Sequence, residues 1–247
     1  MCGRFTLRSD GNALAQHFEL DAALAAALPP ARYNIAPTQT IPVIRWNADS
    51  GKRELVMQRW GLVPHWAKDR KPLPALFNAR AETLATRPAF REALRARRCL
   101  IPADGFYEWK AVGKALTGTG PDMAAPRHPL DARPGWGPQE PQPGLRVKQP
   151  WFVHRPGDGL FAFAGLWEGE TCTIITRTPT PQMAALHDRM PAIPTPGDYS
   201  AWLDPVRSRA EELLPLLDHP PELEIFPVRP LVNRAAADGP ECVMRML

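Results

Sequence analysis

The chain has 247 residues, 44% of them hydrophobic and 23% charged, with a formal net charge of +4 and a pI near 9.0. This composition is typical of one globular domain that can bury a core without disulfides or metals, and it excludes a largely disordered chain. No apolar run reaches membrane-spanning length and no secretory segment follows Met1, so we expect a cytoplasmic protein with no membrane partner. The modest basic excess permits an anionic partner without identifying one.

The pattern along the chain is mixed α and β. The β-rich runs, bounded by Gly, Pro or Asp turn signals, are TQTIPVIRW, ELVMQRWGLV, RCLIPADGFYEW, QPWFVH, LFAFAGLWEG, TCTIITR and LEIFPVR. Helical patterns occur in SDGNALAQHFEL, with Ser9 or Asp10 as the cap, in PAFREALRARR, in TPQMAALH ending at His187, and in DPVRSRAEELLPLL. Because strands and helices do not alternate regularly, we predict an α+β fold with a mainly antiparallel, barrel-like sheet and peripheral helices.

Proline is unusually frequent, with 30 residues, against an average usage of about 5%. Many of the prolines lie within residues 112–147, where glycine is also frequent and apolar periodicity is poor. The flanking runs GFYEWK and QPWFVH both resemble strands of one sheet, which favours an inserted loop over a linker between two domains. We therefore predict a single domain over residues 1–247 with an insertion at about 112–147.

The four cysteines lack the spacing of a zinc site or a disulfide framework. They are Cys2, Cys99, Cys172 and Cys242. At least three are predicted to be unreactive buried thiols. Cys2 differs, because a small second residue permits removal of Met1, and the new terminus would carry an α-amine and a thiol side by side.

Three further polar residues are candidates for an active site, and each also has an interpretation without a functional role. Glu108 lies between Tyr107 and Trp109 on a predicted strand, where desolvation would raise its pKa, although alternation would also allow a solvated glutamate. Asn78 is either a site residue or a turn residue near a surface ion pair. His187 is either a site residue or a cation at a helix C-terminus.

Aromatic and basic residues indicate a surface that would suit nucleic acid. Trp60 ends a β-rich run and is predicted to lie in the core, whereas Trp66 follows a proline turn and is a better candidate for stacking on bases. The cations Lys68, Arg70 and Lys71 follow it. The basic run REALRARR fits phosphate contact and a plain solvated helix face about equally.

Taken together, these segments resemble the SRAP family of abasic-site processing proteins, also named SOS response-associated peptidases. The motifs in the same order are MCGRF, YNIAPTQ, WGLVPHW, FNARAET, RCLIPADGFYEWK, FAFAGLWE, TIITRTPT and LHDRMP. They extend from Met1 to about Pro191, with a weaker similarity in FPVRPLVN. Any one motif would be weak evidence, whereas eight in the same order make the resemblance strong.

The resemblance implies an SRAP fold and a covalent trap for abasic sites in single-stranded DNA. Cys2, exposed by removal of Met1, would attack the ring-opened aldehyde and close a thiazolidine. Asn78, Glu108 and His187 match the family's active-site positions, and no metal or organic cofactor is implied. The residues implied in DNA binding are Arg4, Asn34, Trp66, Arg80, Arg87 and Arg189.

Two rival hypotheses remain. In the first, Cys2 with His187 and Asn78 forms a thiol peptidase or autopeptidase, as the family's older name suggests. In the second, the protein is a non-catalytic reader of single-stranded or modified DNA in which Cys2 is only packed. A monomer is our default expectation.

Overall fold

The computed structural model describes residues 2–21, 30–67, 76–114 and 146–246. This part of the chain contains twelve strands and five short α-helices, which confirms the predicted α+β class. The strands are β1 (Phe5–Leu7), β2 (Arg32–Ile35), β3 (Thr40–Asn47), β4 (Lys52–Trp60), β5 (Asn78–Arg80), β6 (Arg98–Ala103), β7 (Gly105–Lys114), β8 (Arg146–His154), β9 (Phe161–Glu168), β10 (Thr171–Arg177), β11 (Met190–Pro191) and β12 (Glu224–Pro227). The helices are α1 (Gly11–Phe18), α2 (Arg91–Ala96), α3 (Pro181–Ala184), α4 (Tyr199–Leu203) and α5 (Ala210–Leu213).

The first sheet has five strands in the order β12-β8-β7-β1-β2, and every pair is antiparallel. Strands β7 and β8 pair directly, with Glu108 opposite Trp151, as predicted for the two flanks of the insertion. The strands extend to Lys114 and begin again at Arg146, so the connection is shorter than the predicted 112–147. Residues 115–145 lie outside the described part of the chain.

The second sheet is partly closed into a ring, which confirms the barrel-like prediction. Its strand order is β11-β10-β4-β3-β6-β9, and β9 also pairs with β10. The pairs β10–β4 and β10–β5 are parallel, whereas the other pairs in this sheet are antiparallel. Strand β10 is therefore a shared neighbour of β4, β5, β9 and β11.

The hairpin of β3 and β4 shows how local sequence sets a strand pair. Asn47 and Lys52 are paired at its end, and the Asn47 Oδ1 accepts hydrogen bonds from the backbone N–H groups of Asp49 and Ser50. Gly51 has φ of 62°, a left-handed conformation that glycine adopts without steric cost. The turn chemistry of NADSGK thus fixes the register of both strands.

The main core lies where the two sheets face each other. Phe5 of β1 packs edge-on against Trp60 of β4 and Phe163 of β9, with ring centroids 5.3 and 5.6 Å apart. Trp60 is fully buried, as predicted. A smaller cluster around Tyr107 and Phe152 packs on the other face of the first sheet.

The helices partly match the predictions. Asp10, not Ser9, caps α1 by accepting a hydrogen bond from the Ala13 N–H. The predicted helix ending at His187 is wrong in its extent, because α3 ends at Ala184 and His187 lies in the following loop. In the described residues, no helix is both long and apolar enough to span a membrane.

Candidate functional site

The first residues of the chain lie alongside β7. Phe5 is paired with Phe106, and the Tyr107 N–H donates to the Arg4 carbonyl at 3.0 Å, which continues the contact toward Cys2. Cys2 is fully buried at the edge of the main core. The antiparallel pairing therefore brings the candidate nucleophile close to the strand that contains Glu108.

Strand β10 pairs with the two strands, β5 and β11, that lie next to Asn78 and His187. It pairs in parallel with β5, with Asn78 opposite Ile174, and it pairs with β11, with Arg177 opposite Met190. The loop that precedes β11 contains His187. Asn78, predicted as a possible turn residue, instead begins a strand, and its Nδ2 donates a 2.8 Å hydrogen bond to the Cys2 carbonyl.

These segments surround an open cavity of about 470 Å³. It is lined by Gly3, Phe77, Arg80, His187, Asp188 and Arg189. Gly3 and Phe77 are the chain neighbours of Cys2 and Asn78, which do not themselves line the cavity. The cavity is where a substrate group could approach the amino-terminal segment.

Glu108 is 2% exposed, so the solvated alternative is wrong for this residue. It shares a face of β7 with Phe106, which lies in the main core, while Tyr107 belongs to the smaller cluster on the opposite face. Burial raises the pKa of Glu108 from 4.5 to about 7; the positive amino terminus, which Met1 carries in this chain, opposes the shift, and Asp188 adds to it. A carboxyl group in this state can both donate and accept a proton near neutral pH.

His187 is partly buried beside two potential partners. Its Nδ1 accepts a 3.0 Å hydrogen bond from the Arg189 backbone N–H and lies 2.8 Å from Asp188 Oδ1. Burial and the positive amino terminus lower the pKa of His187, and Asp188 opposes this shift. The imidazole is therefore mainly neutral at pH 7.

The thiol of Cys2 has a raised pKa, whereas an activated cysteine has a lowered one. Burial raises its pKa well above the ordinary value, and the negative charge of Glu108 raises it further. A thiolate is the reactive form of cysteine, so this thiol is not activated as it is in thiol peptidases. The arrangement thus gives no support to the predicted Cys2, His187 and Asn78 peptidase.

The basic residues predicted to contact DNA differ in accessibility. Arg80 and Arg87 are exposed, and Arg80 lines the cavity. Arg189 also lines it, but its guanidinium is engaged by Glu82 in two contacts of 2.6 and 2.9 Å. Glu82, expected near Asn78 in a surface ion pair with Arg80, is therefore paired with Arg189 instead.

Arg4 and Asn34 bind each other and the C-terminal segment. Arg4 Nη1 donates to Asn34 Oδ1 and to the Val232 carbonyl, both at 2.8 Å. The Asn34 amide donates to the carbonyls of Val232, Arg234 and Ala237, and the residue is fully buried. These contacts favour a structural role for Asn34 over the predicted DNA contact, because its side chain has no exposed surface.

Trp66 lies on a turn, residues His65–Ala67, and is 43% exposed. This agrees with its predicted availability for stacking, although Trp66 is not among the residues that line the cavity. The neighbouring cations Lys68, Arg70 and Lys71 lie outside the described residues. In the described ranges, no group of three or more His, Cys, Asp or Glu side chains is arranged to hold a metal ion.

Contributors to this site that were not predicted from the sequence include two lining residues and the ion-pair partner of Arg189. Gly3 and Phe77 line the cavity, and Glu82 holds Arg189. Gly3 and Phe77 adjoin predicted site residues within the motifs MCGRF and FNARAET, which is the signal that could have found them. Glu82 and Arg189 are 107 residues apart, and no local pattern links them.

This combination of an α+β double sheet and an amino-terminal cysteine beside a cavity agrees with the resemblance stated above. The family model for SOS response associated peptidase (SRAP) matches residues 1–121 and 136–235. The chain belongs to the SRAP family. The unmatched residues 122–135 lie within the predicted insertion.

Named relatives are similar over most of the chain. The abasic site processing protein YoqW of Bacillus subtilis (strain 168) is 36% identical over 254 residues, covering 98% of this chain and 99% of the relative. The abasic site processing protein HMCES of Gallus gallus is 29% identical and matches 86% of this chain and 65% of its own length.

Solved structures share the fold. The structure of a protein from Bacteroides thetaiotaomicron superposes on this one over 100% of both chains, with a TM-score of 0.73 and 22% identity. This similarity supports the fold alone. A phage-related protein from Bordetella bronchiseptica has a TM-score of 0.65 and 26% identity, covering 92% of this chain and 94% of that one.

Proposed function

We propose that this protein processes abasic sites in single-stranded DNA by trapping the ring-opened aldehyde on the α-amine and thiol of Cys2 after removal of Met1. The names of the curated relatives support the substrate. The observation that supports the site most directly is the 2.8 Å hydrogen bond from Asn78 to the Cys2 carbonyl, beside the cavity that Gly3 and Phe77 line.

The protonation states favour attack by the amine first. An α-amine has a reference pKa of about 8, so part of it is unprotonated at neutral pH. Burial raises the pKa of the Cys2 thiol, which keeps the sulfur protonated. The nitrogen adds to the aldehyde carbon and one water leaves, forming a C=N bond.

Ring closure follows within the same residue. The sulfur adds to the imine carbon, and its proton passes to the nitrogen, giving a five-membered thiazolidine with the net loss of one water. Because nitrogen and sulfur are tethered, this step benefits from effective molarities of about 10⁵ M or more. A cysteine inside the chain lacks the free amine and cannot form this ring.

The neighbouring polar residues take distinct parts in this mechanism. Glu108, whose pKa is raised by burial, exchanges protons with the amine and the departing water. His187 assists opening of the abasic sugar to the aldehyde. Asn78 orients the Cys2 backbone through its hydrogen bond.

The exposed surface suits a single DNA strand. Arg80 and Arg87 are available for phosphate contacts, and Trp66 is available for stacking on a base. The DNA contacts of these residues are part of the proposal and rest on their exposure and on the family resemblance.

The test is incubation of the protein with single-stranded DNA containing one abasic site, followed by a denaturing gel. We expect a heat-stable protein–DNA species with the wild type and none with Cys2→Ala or with undamaged DNA. With borohydride present, Cys2→Ser and Cys2→Ala are both expected to give a reduced adduct, since each keeps the α-amine but cannot close the stable ring. Without borohydride, equal amounts of adduct with Cys2→Ala would reject the proposal, and a wild type that binds the DNA but forms no heat-stable adduct would favour a non-catalytic reader.

A further inference from the structure

The carboxylate of Glu82 and the guanidinium of Arg189 form a two-point ion pair. The distances are 2.6 Å for Nη1 to Oε1 and 2.9 Å for Nη2 to Oε2. Arg189 Nη2 also donates to the Thr176 carbonyl at 2.7 Å. The Arg189 side chain is 13% exposed and the Glu82 side chain 47% exposed, so the two-point pairing is shielded from solvent on the Arg189 side only.

The pair connects two segments of the candidate site. Glu82 follows β5, the strand that begins with Asn78, and Arg189 immediately precedes β11, next to His187. Thr176 lies on β10, between these two elements. Through Arg189, the position of the His187 loop is therefore tied to the segment that contains Asn78.

The backbone of Arg189 acts directly on the His187 ring. Its N–H donates to Nδ1 at 3.0 Å, which requires a lone pair on Nδ1 and places the proton of the neutral ring on Nε2. Asp188 Oδ1, 2.8 Å from the same atom, accepts a hydrogen bond from Nδ1–H, both in the doubly protonated ring and in the neutral form with its proton on Nδ1. The Arg189 N–H and Asp188 therefore favour opposite tautomers of the neutral ring.

We propose that Glu82 is a positioning residue that acts through Arg189 to keep the proton of neutral His187 on Nε2. This inference rests on the proposed function, in which His187 assists sugar opening and needs a defined proton-donating nitrogen. Without Glu82, the Arg189 guanidinium retains the Thr176 contacts alone, and its backbone N–H is held opposite Nδ1 less firmly, by the pairing of Met190 with Arg177. The neutral ring would then also adopt the Nδ1-protonated form.

The tautomer is a more specific readout than the pKa of the ring. The charged groups around His187 are the amino terminus, Asp188 and Lys148, with the Glu82 and Arg189 pair behind them. Removing any of these charges shifts the pKa whatever its structural role. The distribution of the proton between Nδ1 and Nε2 instead reports the hydrogen bond from Arg189.

The experiment is long-range ¹H–¹⁵N correlation of the full-length ¹⁵N-labelled protein at about pH 8, where His187 is neutral. The variant His187→Gln assigns its signals among the six histidines. We expect the wild type to have the proton on Nε2, and Glu82→Gln and Arg189→Lys to have mixed tautomers. Glu82→Asp tests rescue by a shorter carboxylate and should restore the Nε2 form.

The matched control is Glu92→Gln, which removes a carboxylate paired with Arg91 on α2 and should leave the tautomer unchanged. In the gel assay, Glu82→Gln should slow adduct formation about tenfold, as expected for a misoriented catalytic group. An unchanged tautomer in both Glu82→Gln and Arg189→Lys, or a wild type with the proton on Nδ1, would overturn the inference.

The two proposals fail separately. If the wild type forms no adduct but Glu82→Gln still shifts the tautomer, the proposed function is wrong and the positioning role stands. If the wild type forms the adduct and Glu82→Gln leaves the His187 tautomer unchanged, the proposed function stands and the positioning role is wrong. Because Arg189→Lys breaks the same pair from the other side, a poorly folded Glu82→Gln would not prevent a decision.

Discussion

The Asn78 side chain donates a 2.8 Å hydrogen bond to the Cys2 carbonyl and so links β5 to the amino-terminal segment across 76 positions of sequence. The bond leaves the amide oxygen of Asn78 buried and without a hydrogen-bond partner among the described residues. A buried acceptor in this state is costly unless a ligand or a water satisfies it. We therefore regard Asn78 as an orienting group with capacity for one further donor.

Replacing Asn78 tests this orienting role. Asn78→Ala removes the hydrogen bond to Cys2 and is expected to slow adduct formation about tenfold, which corresponds to about 1.4 kcal/mol. Asn78→Asp should be slower still, because a carboxylate would face the Cys2 carbonyl. Rates come from quenched time courses on denaturing gels, with Asn12→Ala on the exposed face of α1 as the control. Equal rates for Asn78→Ala and wild type would remove Asn78 from the mechanism.

The pH dependence of the rate should reveal Glu108. With its pKa raised to about 7, Glu108 changes charge within the working range of the reaction. The wild-type rate should therefore bend near pH 7, and the bend should be absent from Glu108→Gln, which cannot titrate. Single-turnover rates from about pH 5 to about pH 9 measure this. A bend that persists unchanged in the variant would assign it to another group.

The raised pKa of Glu108 also predicts that the folded protein loses stability when this carboxyl group ionises. The folded state holds the Glu108 proton more tightly than the unfolded chain, so the resulting stabilisation is complete below about pH 4.5 and is lost as the pH rises through about 7. The free energy of unfolding of Glu108→Gln minus that of the wild type should therefore be larger at pH 8 than at low pH, by on the order of 3 kcal/mol. Urea unfolding at both pH values measures the difference, and a constant difference would contradict the assigned pKa.

Gly105 is required by the close packing at the start of β7. A Cβ atom there would lie 2.1 Å from Cζ of Phe152, a buried ring that also packs against Tyr107 and Phe226. Gly105→Ala is expected to destabilise the protein by about 1–3 kcal/mol through overpacking. Thermal unfolding tests this, with Gly197→Ala as the control, because a Cβ there meets only Thr195 Oγ1 at 3.8 Å.

Trp66 should contribute to binding of single-stranded DNA. Stacking of a base on an exposed aromatic ring contributes about 1–3 kcal/mol, so Trp66→Ala should weaken affinity by about tenfold. Fluorescence anisotropy with an undamaged labelled strand separates binding from trapping. Trp46, 36% exposed on β3, provides a matched aromatic control whose replacement by Ala should leave affinity unchanged. Equal losses for both variants would argue against a specific role for Trp66.

Sequence patterns predicted the long strands and the core Trp60 because alternation and turn residues are local properties. The pairing of the insertion's flanks also followed from their strand patterns. Strands β1, β2, β5 and β11, with two to four residues each, were missed because such short segments have no measurable period.

The site residues were named from the family resemblance, but their surroundings depend on distant contacts. The burial of Glu108 depends on how the sheets face each other, which an alternating strand does not determine. Asn34 looked like a DNA contact because it lies in a family motif, whereas its amide binds carbonyls about 200 positions away. The engagement of Arg189 by Glu82 is likewise a product of the fold.

In the proposed reaction, the nitrogen and the sulfur of a free amino-terminal Cys2 bond to the same carbon of the abasic sugar. The decisive test is intact mass spectrometry of the adduct, using the wild type and a variant with an unremovable residue before Cys2. We expect a mass equal to the protein without Met1 plus the DNA minus one water, and no adduct for the blocked variant. A stable adduct of the same kind formed by protein that retains Met1 would contradict it.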